Sequence, residues 1–306
     1  MDAGVIKQAL KILKNNSISE VILGTAQFGM NYGLNEESRS LDRDKIFKIL
    51  NQASRSKITI VDTAHSYGSS EKIIGDWMSS SNKNKMNIIT KIPRLLVGHG
   101  SKEANHYLSE SMRNLGVTSI DTLLMHEAKD IFKQDIISWV ESLLYNKKIK
   151  WFGVSVYNIK DILPIHPSIS VIQIPLNIFN QINLEEDLVK NFIRKGGQIH
   201  IRSVFVQGLI LMNPSKLPKH FESCKEPIKK FQSLAKEAGV LPESLAIASV
   251  KYLLPECKII MGVHSHQQLA ANAKLLGDKI DRSIITSAIK LGNLFSGNMW
   301  DPRLWK

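Results

Sequence analysis

Eight short apolar stretches recur along the chain, and most are followed by a segment whose apolar residues fall at helical spacing. The stretches cover residues 21–26, 59–62, 86–92, 120–126, 151–157, 170–175, 198–205 and 258–261. The helical segments are 41–54, where Ile46, Phe47, Ile49 and Leu50 form one face, then 103–115, 135–146, 185–195 and 267–276, with another starting near Ser69 or Ser70. Most repeats are close to the roughly thirty residues of a βα unit, a pattern that demands a parallel sheet. With eight units, closing the sheet is the economical arrangement. The expected fold is α/β, a (β/α)8 TIM barrel forming one domain over residues 1–306. Residues 1–16 predict an amphipathic helix before the first strand. Residues 208–255 carry Pro214, Pro218 and Pro227 and then two helical stretches, which predicts a loop insertion with an extra helix between strands seven and eight.

In such a barrel, chemistry gathers at the carboxyl ends of the strands. The second strand ends abruptly at a carboxylate, Asp62, and its loop carries Tyr67 and Gly68 before Ser69, Ser70 and Glu71 open a helix. Taken singly, a strand-end Asp is often a loop acceptor and a loop Tyr is often partly buried packing. Two further polar residues reach the same end of the sheet, Lys91 on strand three and His126 on strand four. A lysine in an apolar strand is costly unless paired, and Asp62 on the neighbouring strand is its natural partner.

Composition narrows the classes. Hydrophobic residues make up 43% of the chain, which excludes disorder, and no apolar run reaches the roughly 18 residues of a membrane span. Residues 1–16 mix Lys7, Lys11 and Lys14 into the pattern without a signal-peptide core, so the expected location is the cytoplasm. Cys224 and Cys257 form neither a disulfide framework nor a metal cluster. The net charge of +12 raises nucleic acid as a partner, but the lysines are dispersed and no recognition motif accompanies them. Gly98-His-Gly100 lacks the third glycine of a dinucleotide fingerprint, and His264 with His266 lacks a nearby third metal ligand; no metal is expected. Phe28, Met30 and Tyr32, on a glycine-rich loop after strand one, are expected at a pocket mouth.

The run Asp62-Thr-Ala-x-x-Tyr67-Gly-x-Ser-Glu71, with Lys91 and His126 on the next two strands, resembles the signature of the aldo-keto reductase superfamily. The resemblance extends over nearly the whole chain and implies that Asp62, Tyr67, Lys91 and His126 form the catalytic tetrad. It also implies that Gly24, Thr25, Ser155, Gln173, Ser203, Gly262, His264, Ser265, Gln268 and Asn272 face a nicotinamide cofactor, with Asn177 close by. In that family Ser155 and Gln173 would hold the carboxamide, and the loop after strand eight would hold the adenosine phosphates. NADP(H) is expected in preference to NAD(H).

The implied chemistry is coherent. Hydride delivery to a carbonyl leaves an alkoxide that needs a proton, and a phenol of reference pKa about 10 is a reluctant donor. Lys91 is expected to lower that pKa, Asp62 to orient and neutralise the lysine, and His126 to polarise the carbonyl oxygen. The chain departs from the family at Arg202-Ser-Val-Phe-Val-Gln-Gly208, where Ser-Pro-Leu is common, at His264-Ser265-His266, where many members carry Lys or Arg, and at Ala271, which replaces a frequent Glu.

The function implied is NAD(P)H-dependent reduction of an aldehyde or ketone. A sugar is one candidate, because residues 202–211 and 301–305 resemble reductases of bacterial sugar and surface-polysaccharide pathways. The expected partner is a small-molecule carbonyl compound, with neither nucleic acid nor membrane. The alternative from another class is a nicotinamide-binding redox sensor or regulatory subunit with little turnover. A Schiff-base aldolase using Lys91 is disfavoured, because Asp62 would keep the amine protonated.

Overall fold

Eight parallel strands pair in sequence order and close into a barrel: β1 Val21–Gly24, β2 Ile60–Asp62, β3 Asn87–Ile92, β4 Ile120–Met125, β5 Ile149–Ser155, β6 Val171–Pro175, β7 Gln198–Arg202 and β8 Lys258–Gly262. Closure is made by β1 against β8, with Val21 opposite Ile259 and Gly24 opposite Gly262. The computed structural model describes residues 20–34, 41–133, 135–181, 184, 186–275, 277–294, 301 and 305, and the helix expected over residues 1–16 lies outside them.

Strand alternation explains what fills the barrel. Ile22, Ile89, Leu124 and Val171 form a separate buried cluster against which Ile60 and Ile260 pack, a hydrophobic plug across the interior. Two residues further along each of these strands, on the same face, come Gly24, Lys91, His126, Gln173, Asp62 and Gly262. By the same period Ser155 follows Gly153 on β5 and Arg202 follows His200 on β7. The plug therefore floors a ring of polar and glycine positions at the carboxyl ends.

The outer layer comprises α1 Arg43–Arg55, α2 Ser70–Ser79, α3 Ser101–Leu115, α4 Ile136–Tyr145, α5 Glu186–Arg194, α6 Lys225–Glu237, α7 Pro242–Leu253, α8 His266–Leu275 and α9 Arg282–Leu291. In α1, the Asp42 side chain caps the helix by accepting from Lys45 N at 2.8 Å, and Ile46, Ile49, Leu50 and Ala53 are buried on the core face. The stretch 208–255 holds two full helices, α6 and α7, preceded by short 3-10 turns. Two elements differ from the periodic reading. The connection after β5 is a 3-10 turn, Ile159–Ile162, and α9 adds a helix after α8. The first and seventh strands also stop early. Ala26–Phe28 forms a 3-10 turn, and Ser203 at φ 61 turns the chain out of the sheet directly after Arg202.

Candidate active site

The Asp62 and Lys91 expectations meet in one buried cluster. Lys91 Nζ, fully buried, lies 2.7 Å from Asp62 Oδ2 and also donates to Thr63 O at 2.8 Å. Gln173 Nε2 donates to Asp62 Oδ1 at 2.8 Å, so both carboxylate oxygens are held. Burial draws the Lys91 ammonium below its ordinary range, and the Asp62 carboxylate opposes that pull. A buried ion pair of this kind is held in place by its hydrogen bonds, and removing either partner strands the other charge.

Tyr67 stands above this pair, its ring centroid 5.0 Å from Lys91 Nζ. Two glycines hold the phenol's loop there. A Cβ on Gly29 would lie 1.9 Å from Tyr67 O, and one on Gly68, at φ 55, would lie 2.3 Å from Gly29 O, so only glycines let the loop after β1 pack on the Tyr67 turn. Beneath the turn, Thr63 Oγ1 donates to Ser70 Oγ at 3.0 Å, and Ser70 Oγ reaches Thr25 O at 3.1 Å. Ser70 thus ties β1 to β2 instead of capping α2, and the Ser69 side chain makes no capping bond.

The electrostatics of the phenol run against the expectation that Lys91 lowers its pKa. Burial pushes the Tyr67 phenol up, the Asp62 carboxylate adds to the rise, and Arg202 is the cation that pulls it down. Lys91, paired with Asp62, is not among the groups that shift it. The result is a phenol that stays protonated at neutral pH. His126 lies beside it, ring centroids 6.1 Å apart at 80°, with Nδ1 3.3 Å from Ser66 Oγ. Burial, with help from Lys91 and Arg202, pushes His126 down to about 3, so the imidazole is neutral.

A cavity of about 160 Å³ opens over this cluster. Of the residues expected to face a cofactor, Gly24, Thr25, Gln173, Ser203, Gly262, His264 and Gln268 line it, as do Asp62 and Tyr67. Ser155 and Lys91 are buried below the lining, Ser155 Oγ being 3.5 Å from Gln173 Oε1. His126, Ser265 and Asn272 lie outside the lining set. Ser265 Oγ accepts from Gln268 N at 3.1 Å, a helix-capping role at the start of α8, and Gln268 Oε1 accepts from His264 N at 2.8 Å. Of the three residues expected at the pocket mouth, Tyr32 lines the cavity, Phe28 is buried in the core, and Met30 is exposed at 38%.

A dinucleotide fits the residues present. Gly262 and Gly24 keep the strand ends free of side chains, and a Cβ on Gly262 would press against the Gln27 side chain at 3.2 Å. Asn272 Nδ2, on the helix that follows β8, is a buried donor with no acceptor among the described residues. A buried amide without a partner is costly unless something outside the protein satisfies it.

Apart from Ser203, Arg202 and the loop after it were not among the expected site residues. Arg202 lines the cavity with Ser203, Val204, Phe205, Gln207 and Gly208. Ser203, Val206 and Gln207 all take positive φ, at 61, 48 and 54. For a β-branched residue such as Val206 that is an uncommon backbone, of the sort that accumulates at functional loops. The available signal was alternation: Arg202 stands two residues after His200 at a strand's carboxyl end.

An aldo-keto reductase of Strobilurus tenacellus is 25% identical over 300 residues, 88% of this chain and 86% of that protein. Among solved structures, a glycerol dehydrogenase from Gluconobacter oxydans superimposes with a TM-score of 0.72 at 21% identity, over 89% of this chain and 90% of its own. An aldo-keto reductase from Bacillus halodurans, in its holo form, gives a TM-score of 0.70 at 18% identity, over 92% of this chain and 94% of its own. At those identities the structural likeness speaks for the barrel alone. The sequence profile of the Aldo/keto reductase family matches residues 20–287, from before β1 into α9. A match of that extent carries more than fold, and the chain belongs to the aldo/keto reductase family of NAD(P)H-dependent oxidoreductases.

Proposed function

We propose that the protein reduces an aldehyde or ketone to the alcohol with NADP(H), Tyr67 giving the proton to the carbonyl oxygen. The observation that carries this reading is the buried Lys91–Asp62 pair at 2.7 Å, set directly under a phenol that burial keeps protonated. A proton donor must hold its proton until charge develops on the substrate, and Tyr67 does so at neutral pH. As the proton leaves, the phenolate forms 5.0 Å (ring centroid) from the Lys91 ammonium, which Asp62 and Thr63 O hold in place without reorganisation. His126 is neutral and its Nδ1 lies 3.3 Å from Ser66 Oγ; the tautomer that accepts from that hydroxyl would carry its hydrogen on Nε2, free to donate to the same carbonyl oxygen.

Ser155 and Gln173 would hold the carboxamide of the dinucleotide, and His264, Ser265, Gln268 and Asn272 its adenosine phosphates. When bound, the nicotinamide supplies the hydride to the carbonyl carbon. Gln173 gives this arrangement a direct link to the proton donor's support, because the same amide donates to Asp62. The aldolase alternative loses support from the same pair. An amine engaged by both Asp62 and Thr63 O has no lone pair to offer a carbonyl.

Tyr67→Phe removes only the hydroxyl and is expected to lower turnover roughly 10²- to 10⁴-fold, the usual share of general acid catalysis. Steady-state turnover across a panel of aldehydes, ketones and sugars, with NADPH and NADH affinities from fluorescence titration, tests this. Wild-type turnover in the Tyr67→Phe variant would move the proton donor elsewhere. Tight cofactor binding with no turnover on any carbonyl would favour the sensor or regulatory role, and tighter NADH binding would reverse the cofactor assignment.

A further inference from the structure

Arg202 is the residue of the carboxyl-end ring that the tetrad and cofactor assignments do not use. It closes β7, is half-buried, and lines the same cavity as Asp62, Tyr67, Tyr32 and Gln173. Its guanidinium carbon stacks 4.3 Å over the Tyr157 ring centroid, and Nη2 makes one long bond, 3.4 Å, to Val156 O. Stacking and that carbonyl fix the plane of the group while leaving most of its donors unused.

The charges of the cavity do not cancel. Asp62 and Arg202 are the ionised residues in its lining, and Asp62 is committed on both oxygens to Lys91 and Gln173. No carboxylate among the described residues forms an ion pair with Arg202. One positive charge is therefore left over at the mouth, on the side chain best shaped to grip a carboxylate or phosphate with two parallel hydrogen bonds. It sits close enough to bear on the phenol of Tyr67 and the imidazole of His126, the groups that flank the reacting carbonyl in the reading above. A residue there for packing alone would not need a charge, since cation–π stacking on an aromatic ring contributes only about 0.5–2 kcal/mol.

We propose that Arg202 is a specificity-determining residue that selects carbonyl substrates bearing an anionic group, a carboxylate or a phosphate, within a guanidinium's reach of the reacting carbonyl. This rests on the reductase reading, and it assigns the anion to the substrate, not to the cofactor, whose adenosine phosphates that reading would place at the loop after β8.

The test compares matched pairs that differ by one anion: succinic semialdehyde with butanal, glucuronate with glucose, and glyceraldehyde 3-phosphate with glyceraldehyde. In the wild type, kcat/KM is expected to favour an anionic member at least about tenfold. Arg202→Gln should shrink that ratio roughly 10- to 100-fold, and Arg202→Lys, which keeps the charge but not the fork, should retain part of it. NADPH affinity of each variant is measured in parallel. An unchanged ratio in Arg202→Gln, an equal loss on both members of every pair, or a loss that lies in NADPH affinity would each overturn the proposal. Should the wild type reduce none of these compounds, the reductase reading fails by itself, and calorimetric binding still decides this one. Glucuronate bound more tightly than glucose by the wild type but not by Arg202→Gln would uphold it, and no such difference would end it.

Discussion

The two sides of the cavity are built on opposite terms. On the β2–β3 side every polar group around the ion pair is satisfied within the protein: Asp62 by Lys91 and Gln173, Lys91 by Asp62 and Thr63 O, Glu71 by Thr90 Oγ1 at 2.6 Å. On the β7–β8 side, polar groups wait. Among the described residues, Asn272 Nδ2 and both ring nitrogens of His200 are buried without hydrogen-bond partners and Arg202 has no carboxylate, and the loop after β7 runs through three non-glycine residues at positive φ. The difference teaches that a site can be rigid where charge must be preorganised and unfinished where ligands complete it.

Breaking the satisfied side should hurt most. Lys91→Met leaves Asp62 as a buried carboxylate with only Gln173, and the expected loss of folding stability is about 3–5 kcal/mol, together with most turnover. Urea unfolding of the variant measures it, and a loss below about 1 kcal/mol would mean that the pair contributes little. Asp62→Asn should be milder, about 1–2 kcal/mol. The new amide can still accept from Lys91, and its NH2 can be met if Gln173 flips, presenting Oε1 to it and Nε2 to Ser155 Oγ. A double substitution with Gln173→Leu would block that flip, and the two effects should then exceed their sum.

The unfinished side predicts smaller effects. Burial, with Lys258 and Lys91 adding to it, pushes His200 down to about 3, so it stays neutral in the fold. The unfolded chain takes up that proton first, near its ordinary pKa of about 6.5, so stability is lost as pH falls from there towards 3. The contribution has a slope of at most about 1.4 kcal/mol per pH unit. Urea midpoints at pH 7, 6 and 5 should fall less steeply in His200→Leu than in the wild type, and parallel curves would show that His200 is not the group being titrated. Last, Asn272→Ala removes a donor that is unpaired among the described residues. Cofactor affinity should drop about five- to tenfold with little change in cofactor-free stability, whereas an equal fall in both would give Asn272 a structural role.

Much of the β2–β4 side was legible from sequence because its signals are costly exceptions: a lysine in an apolar strand, a carboxylate ending the next strand, a histidine ending the third. Such residues are tolerated only when they meet, which is what Lys91 and Asp62 do. The β7–β8 side was less legible because its determinants are geometric. Ser265 belonged to the expected cofactor set, yet its hydroxyl caps α8. The end of β7 at Arg202 depends on a left-handed Ser203 that no propensity demands. Phe28 and Tyr32 share a loop four residues apart, but one packs into the core and the other faces the cavity.

What the sequence determined alone was periodic: alternation of period two within strands, helical spacing between them, and eight repeats of the pair, which together leave little besides a closed parallel barrel. Periodicity also implied which residues share a face, and so which polar side chains would stand above the plug. Which of them would touch depended on the stagger of closure. That stagger sets Asp62 opposite Ile89 and Gln173 opposite His200 in register, yet brings Asp62, Lys91 and Gln173 into one hydrogen-bonded cluster and leaves Arg202 outside it. Contacts across a barrel join residues far apart in the chain, as with the 111 positions between Asp62 and Gln173, and no local preference encodes them.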